Sequence, residues 1–178
     1  MKNLLKLSLC LVAFLSLSDS LSAQTVGQGA WMVGGSAGFR SINYKDSDLS
    51  VTQIDLSPNL GYFIADDLAI GVNFRLTSTS TDGNSTTDFG LGPFVRYYFA
   101  SALFAQLGAD LGIGDNEFTD LELGVGYSWF VDNSVAIEPK LFVRLHNVKD
   151  TNPVDFDATI FGLSVGVQAF ANHEHMAN

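Results

Sequence analysis

The sequence predicts an all-β fold, an eight-stranded antiparallel up-and-down transmembrane β-barrel. Three observations carry this expectation. Apolar residues alternate with small or polar ones through eight segments of 9 to 15 residues, and a period of two places each set on one face of a sheet. The non-apolar face is rich in Gly, Ser, Asn and Gln rather than the Lys, Glu and Thr of a wetted sheet. Thirteen of the 17 glycines fall on it, among them Gly34, Gly61, Gly71, Gly92, Gly126 and Gly166. Charged residues make up only 16% of the chain, although the balance is strongly acidic. A crowded inner face and an apolar outer face describe a narrow barrel whose outside meets lipid.

The segments follow in order. Residues 30–40 show Trp31, Val33, Ala37 and Phe39 on the apolar face, and residues 51–63 show Ile54, Leu56, Leu60 and Tyr62. Residues 68–76 carry Leu68, Ile70, Val72, Phe74 and Leu76, and residues 87–99 carry Phe89, Leu91, Val95, Tyr97 and Phe99. In residues 102–113 the apolar set is Leu103, Leu107, Leu111 and Ile113; in 118–131 it is Leu121, Leu123, Val125, Tyr127 and Trp129. Residues 135–146 offer Val135, Ile137, Leu141, Val143 and Leu145, and residues 156–170 offer Phe161, Leu163, Val165 and Val167. These lengths suit tilted membrane strands. Pro58, Pro93 and Pro139 fall inside segments and lack the ladder donor, so bulges are expected there.

Three connections are tight, 64–67, 100–101 and 132–134, and four are longer and polar, 41–50, 77–86, 114–117 and 147–155. Short turns at one rim and longer loops at the other are the barrel pattern. A weak repeat marks the short turns: Tyr62-Phe63-Ile64, Tyr97-Tyr98-Phe99 and Trp129-Phe130-Val131. An aromatic girdle of Trp31, Tyr62, Tyr97, Phe99, Tyr127, Trp129 and Phe170 is therefore expected at that rim, where lipid headgroups begin.

Residues 1–23 read as a secretory leader. Lys2 and Lys6 precede an apolar run from Leu7 to Leu17, and small residues up to Ala23 form the cleavage region. The barrel domain is expected over 24–170, with a short tail at 171–178. Cys10, the one cysteine, goes with the leader, so the mature chain has no disulfide or thiol chemistry. Losing Lys2, Lys6 and Asp19 leaves 7 basic against 18 acidic residues, net −11. Such a surface repels nucleic acid.

The runs Leu56-Ser57-Pro58-Asn59-Leu60-Gly61-Tyr62-Phe63, Gly90-Leu91-Gly92-Pro93-Phe94-Val95-Arg96-Tyr97-Tyr98-Phe99 and Gly162-Leu163-Ser164-Val165-Gly166-Val167-Gln168-Ala169-Phe170 resemble the small outer-membrane β-barrel family that includes the OmpX and OmpA transmembrane domains. The resemblance implies residence in the outer membrane of a Gram-negative bacterium. It further implies insertion by the outer-membrane assembly machinery and contact with outer-membrane lipid and lipopolysaccharide. Two features depart from the family. Residues 171–178 follow the terminal aromatic, and no peptidoglycan-binding domain is expected after the barrel.

Ten charged residues share inward parity: Arg40, Asp55, Arg75, Asp88, Arg96, Asp110, Glu122, Glu138, Lys140 and Arg144. In a narrow barrel these form an ion network that plugs the lumen, because an unpaired buried charge is costly. A narrow channel lined by the same charges is the alternative. So is a soluble, lipocalin-like periplasmic barrel that binds lipid, with the faces reversed. The loop acids Asp46, Asp48, Asp82, Asp115, Glu117, Asp150 and Asp155 lack the spacing of a calcium loop and read as a solvated rim. His146 lies near the long-loop rim, with Asp155 or Asp157 as candidates to orient it; His173-Glu174-His175 lies in the tail. No catalytic, cofactor or metal site is expected. The role is expected to be structural, surface-interacting or envelope-protecting, with any extracellular ligand unnamed by the sequence.

Overall fold

The computed structural model describes residues 27–43, 50–81, 84–100, 102–113, 118–148 and 158–171. The leader, the loop acids, Asp157 and the His173–His175 tail lie outside the described residues, as does the side chain of Arg40. The described chain is a closed, all-antiparallel, up-and-down barrel. Its segments are β1 (Trp31–Asn43), β2 (Ser50–Ala65), β3 (Leu68–Thr81), β4 (Asn84–Ala100), β5 (Leu103–Ile113), β6 (Phe118–Tyr127), β7 (Trp129–Asp132), β8 (Val135–Val148) and β9 (Ala158–Ala171). Consecutive segments pair, except that β6 and β7 both pair with β8, and β9 pairs with β1 to close the ring. The segments β6 and β7 are two parts of one stave, so the barrel has eight. Trp31 pairs with both Tyr62 and Ala171, which places both ends of the described barrel at the short-turn rim.

Bulges occur, but not at the prolines. The register shifts between Phe63 and Ala65, between Tyr98 and Ala100, and between Phe130 and Asp132. These are the three aromatic repeat frames. In each frame the first aromatic faces out, the second turns into the barrel, and the extra residue lets the strand enter its turn. One turn uses Asp67 at φ 63°, a left-handed conformation an aspartate tolerates; its carbonyl accepts from Tyr98 N at 2.9 Å.

The expectation of bulges at Pro58, Pro93 and Pro139 is corrected. Each proline interrupts one ladder and leaves the register intact. Pairing skips from Leu56↔Leu76 to Asn59↔Asn73 beside Pro58, and from Leu91↔Leu111 to Phe94↔Gly108 beside Pro93. Gly126↔Lys140 and Trp129↔Ile137 share one register, which sets Pro139 opposite Tyr127. The missing donor there splits the stave into β6 and β7, which the alternation alone reads as one strand over 118–131. The long-loop hairpins also run further than their composition suggests. Residues 77–81 pair with 84–88, so most of the expected 77–86 link is strand.

The outer face is apolar through the middle and the short-turn end of the barrel, and turns polar toward the long-loop end, where Ser85 and Thr87 are exposed. Thirty large apolar side chains are exposed among the described residues, from Trp31 to Val167. Inside, the core is a compact apolar cluster: Ala30, Met32, Phe63, Ala69, Phe94, Tyr98, Phe104, Ala136 and Phe170, with Phe130 packed against it. Inward rings lie over inward glycines of adjacent strands. A Cβ on Gly71 would stand 2.6 Å from the Phe94 ring, and Phe104 and Phe142 cover Gly126 and Gly162 in the same way. The glycines thus make the room that the aromatics fill.

Candidate functional site: the charged lumen

Above the apolar floor, two polar layers cross the barrel. The lower one is built on Arg96. Its Nε and Nη2 donate to Gln106 Oε1 at 2.9 and 2.7 Å, and its Nη1 meets Glu138 Oε2 at 2.8 Å. Glu138 Oε1 also accepts from Ser128 Oγ at 2.6 Å and from the Tyr98 hydroxyl at 3.3 Å. The guanidinium carbon sits 4.1 Å from the centroid of Phe104. Arg96, Glu138 and Ser128 are 2%, 4% and 1% exposed. At that depth the carboxylate and the guanidinium compensate each other, and the hydroxyls occupy the remaining lone pairs.

The upper layer has more members. Arg75 forms ion pairs with Asp110 and Asp120, and its Nη2 reaches Glu122 Oε2 at 3.5 Å. Glu122 is the hub. Lys140 Nζ lies 2.7 Å from its Oε1, and Arg144 Nη2 lies 2.8 Å from its Oε2. Arg144 stacks on Phe142 at 4.9 Å. Asn73 Nδ2 donates to Asp110 at 3.4 Å. His146 Nδ1 lies 2.6 Å from Asp120 Oδ1, and its ring contacts Phe118. Asp120 therefore holds His146 among the described residues, and the expected partners Asp155 and Asp157 lie outside them.

The register explains this grouping. Glu122 pairs directly with Arg144 and Asp120 with His146 across β6 and β8, while Asp110 pairs with Asp120 across β5 and β6. Inward parity brings Arg75, Asp110, Glu122, Lys140 and Arg144 into the upper layer, and Arg96 and Glu138 into the lower. Asp55 stands apart on β2, accepting from Thr77 Oγ1 at 2.8 Å and Gln53 Nε2 at 3.3 Å. Asp88 is half-buried on β4, opposite Thr77. Sequence reasoning missed Asp120, Gln106 and Ser128, although Asp120 has the same parity as Glu122. It also missed the inward aromatics, because attention to the Gly and polar residues of that face hides Phe63, Phe94, Phe104 and Phe142.

The expected girdle divides. Trp31, Tyr62, Tyr97, Phe99 and Trp129 are exposed on the outer face, and Trp31 packs on Tyr62 at 5.0 Å. Tyr127 shares that face and is half-buried. Phe170 is corrected: it is 7% exposed and belongs to the apolar floor, against Phe63 and Phe130. The alternation puts Val165 and Val167 outside, so Phe170 follows Gln168 to the inside.

A cavity of about 220 Å³ lies beside the two layers. It is bounded by small and polar residues of β1, β2 and β9, by Phe39, Phe161 and Leu163 of β1 and β9, and by Lys140 and Arg144 of β8. Among the described residues, no group of three His, Cys, Asp or Glu is arranged to hold a metal ion.

No protein-family model and no curated protein matches this chain. Among solved structures it is similar to a de novo designed transmembrane β-barrel, with 13% identity and a TM-score of 0.50, over 83% of this chain and 100% of that one. It is also similar to OmpT, an outer-membrane protein of Vibrio cholerae, with 15% identity and a TM-score of 0.34, over 80% of this chain and 52% of that one. The chain thus spans about half the length of OmpT, and its likeness to the designed barrel is one of fold: a transmembrane-type β-barrel.

Proposed function

We propose that this chain is an integral outer-membrane barrel of a Gram-negative envelope, of the OmpX and OmpA transmembrane-domain kind, with a structural, surface-interaction or envelope-protecting role and no enzymatic activity. The observation that carries the reading is the division of the two faces. Thirty large apolar side chains are exposed outside, while Arg75, Arg96, Asp110, Asp120, Glu122 and Glu138 are buried inside. A soluble monomer rarely exposes an apolar patch beyond a few hundred Å². A soluble lipid-binding barrel needs the opposite arrangement. Lipid contact outside and assembly by the outer-membrane machinery follow from this reading.

Cell fractionation tests it. The mature protein is expected in the outer-membrane fraction and is expected to resist carbonate extraction. Recovery in the soluble periplasm would overturn the reading and revive the lipid-binding soluble barrel.

A further inference from the structure

The barrel is closed unevenly. The staves β1 and β2 pair along thirteen positions, from Trp31↔Tyr62 to Asn43↔Ser50. The closing seam between β1 and β9 pairs along seven, from Trp31↔Ala171 to Ala37↔Val165. Both strands continue beyond that point. The same register would match Gly38 with Ser164, Phe39 with Leu163 and Asn43 with Thr159, yet those residues pair only with β2 and β8. Seven residues at ~3.3 Å each run ~23 Å along the strand. Tilted by ~40°, they rise ~18 Å, which is less than the apolar band of ~25 Å. The unzipped part therefore begins within the apolar band, where lipid-exposed open strand edges do not persist unless they line a cavity.

They do line one. The 220 Å³ cavity is bounded at the seam by Gly38, Phe39, Phe161, Leu163 and Ser164 and reaches inward to Arg96. Phe39, Phe161 and Leu163 are 71%, 75% and 62% exposed on the lipid side of the opening. Two buried polar atoms on its wall have no partner: Ser164 Oγ and Gln168 Oε1. Gln168 is 2% exposed, and its Nε2 is already engaged with Asn59 Oδ1 at 2.9 Å. The Ser164 hydroxyl, at the unzipped part of the seam, calls for a hydrogen-bonding guest, while Gln168 lies roughly 13 Å further along the strand, in the zipped part of the seam. The described charges of the lining balance, with Arg96, Lys140 and Arg144 against Asp55, Glu122 and Glu138. An electrically neutral head fits that wall better than a charged one.

We propose that the open β1–β9 seam is a lateral port, and that it admits a single-chain amphiphile from the outer leaflet. Its neutral, hydroxyl-bearing head enters the cavity and bonds Ser164, while its acyl chain lies in the seam against Phe39, Phe161 and Leu163. The cavity holds a small head, not a whole two-chain lipid. This inference rests on the membrane reading above.

The test uses the folded, full-length mature protein in phosphatidylcholine vesicles, with Trp31→Phe and Trp129→Phe removing the native tryptophans. A reporter is placed at the port by Phe161→Trp, or on another wall by Leu107→Trp, which is also exposed to lipid. The probe is a monoacylglycerol with a brominated chain, which quenches nearby tryptophan. Quenching at the port is expected to be saturable and severalfold stronger than at the other wall. Adding Ser164→Phe, which fills the cavity, is expected to bring it down to the level of the other wall. Equal quenching at both positions would overturn the port and leave a water-filled cavity. Stronger quenching by the matching brominated carboxylate would overturn the neutral head. A disulfide-linked dimer through Phe39→Cys would show that a second copy covers the seam instead. No quenching at either position would mean that the protein is not in the bilayer, which fails the membrane reading rather than the port.

Discussion

Arg96 shows what a buried cation requires. Its donors meet Gln106, Glu138 and Tyr98, and its face rests on Phe104. Truncating it by Arg96→Met would leave Glu138 with only hydroxyl donors, at a cost of about 3–5 kcal/mol. The double variant Arg96→Met with Glu138→Gln removes both charges and is expected to recover a large part of that loss. Asn133→Asp, on an exposed short turn, is expected to change stability by about 0.5 kcal/mol or less. Urea unfolding in lipid vesicles measures all three. Equal losses for Arg96→Met and Asn133→Asp would show that the lower layer is not a compensated unit. His146 belongs to the same scale. Its ring is tied to Asp120 at 2.6 Å and to Phe118, so among the described residues it is part of the ion network rather than a free rim group.

The element scale is governed by where each strand loses or gains a residue. The three bulges sit at the short turns, where the aromatic frames need one residue to turn inward and the next to leave the ladder. The prolines do something else: they delete a donor without moving the register. Pro139 makes the clearest case, because a Cβ on Gly126 would stand 2.8 Å from its carbonyl oxygen. That carbonyl is directed at β6, and in an extended strand the nitrogen of the same residue faces the same neighbour. Pro139→Ala would restore a donor opposite Tyr127 and fuse β6 with β7 into one strand. The expected gain is about 1 kcal/mol, the net worth of one added hydrogen bond, with slower amide exchange around Ser128. An unchanged exchange rate there would mean that Ser128, held by Ala102 O and Glu138, sets the break by itself.

At the scale of the whole molecule, the outward face was legible in the sequence apart from Phe170, and the inward face only partly. Period-two alternation gives Val33, Leu56, Val95, Leu123 and Val165 their side without ambiguity. The same rule assigns Arg75, Glu122 and Arg144 to the lumen, but it does not give the height at which each sits. Height depends on register, which turn geometry and bulges set, so the division into two charged layers, and Asp120 as the partner of His146, emerged only from the pairing. Phe170 was misplaced because an aromatic at a barrel end suits a girdle; its parity with Gln168 was the better guide. Register also decides whether the lumen conducts. The apolar floor of Met32, Phe63, Phe104 and Phe170 spans the short-turn end, with Met32, Phe63 and Phe104 wholly buried. Above it, Arg96 and Glu138 close the next layer. Eight staves leave an interior about filled by side chains, so the cavity beside the seam ends blindly at this floor. Purified protein in a planar bilayer is therefore expected to show no stable open conductance. Removing the charges alone, by Arg96→Met with Glu138→Gln, is expected to leave it closed, because the aromatic floor is untouched. Adding Phe63→Ala and Phe104→Ala to that variant removes both seals and is expected to produce measurable current steps. Reproducible steps in the unaltered protein would overturn the floor as a seal and turn the charged layers into the lining of a pore.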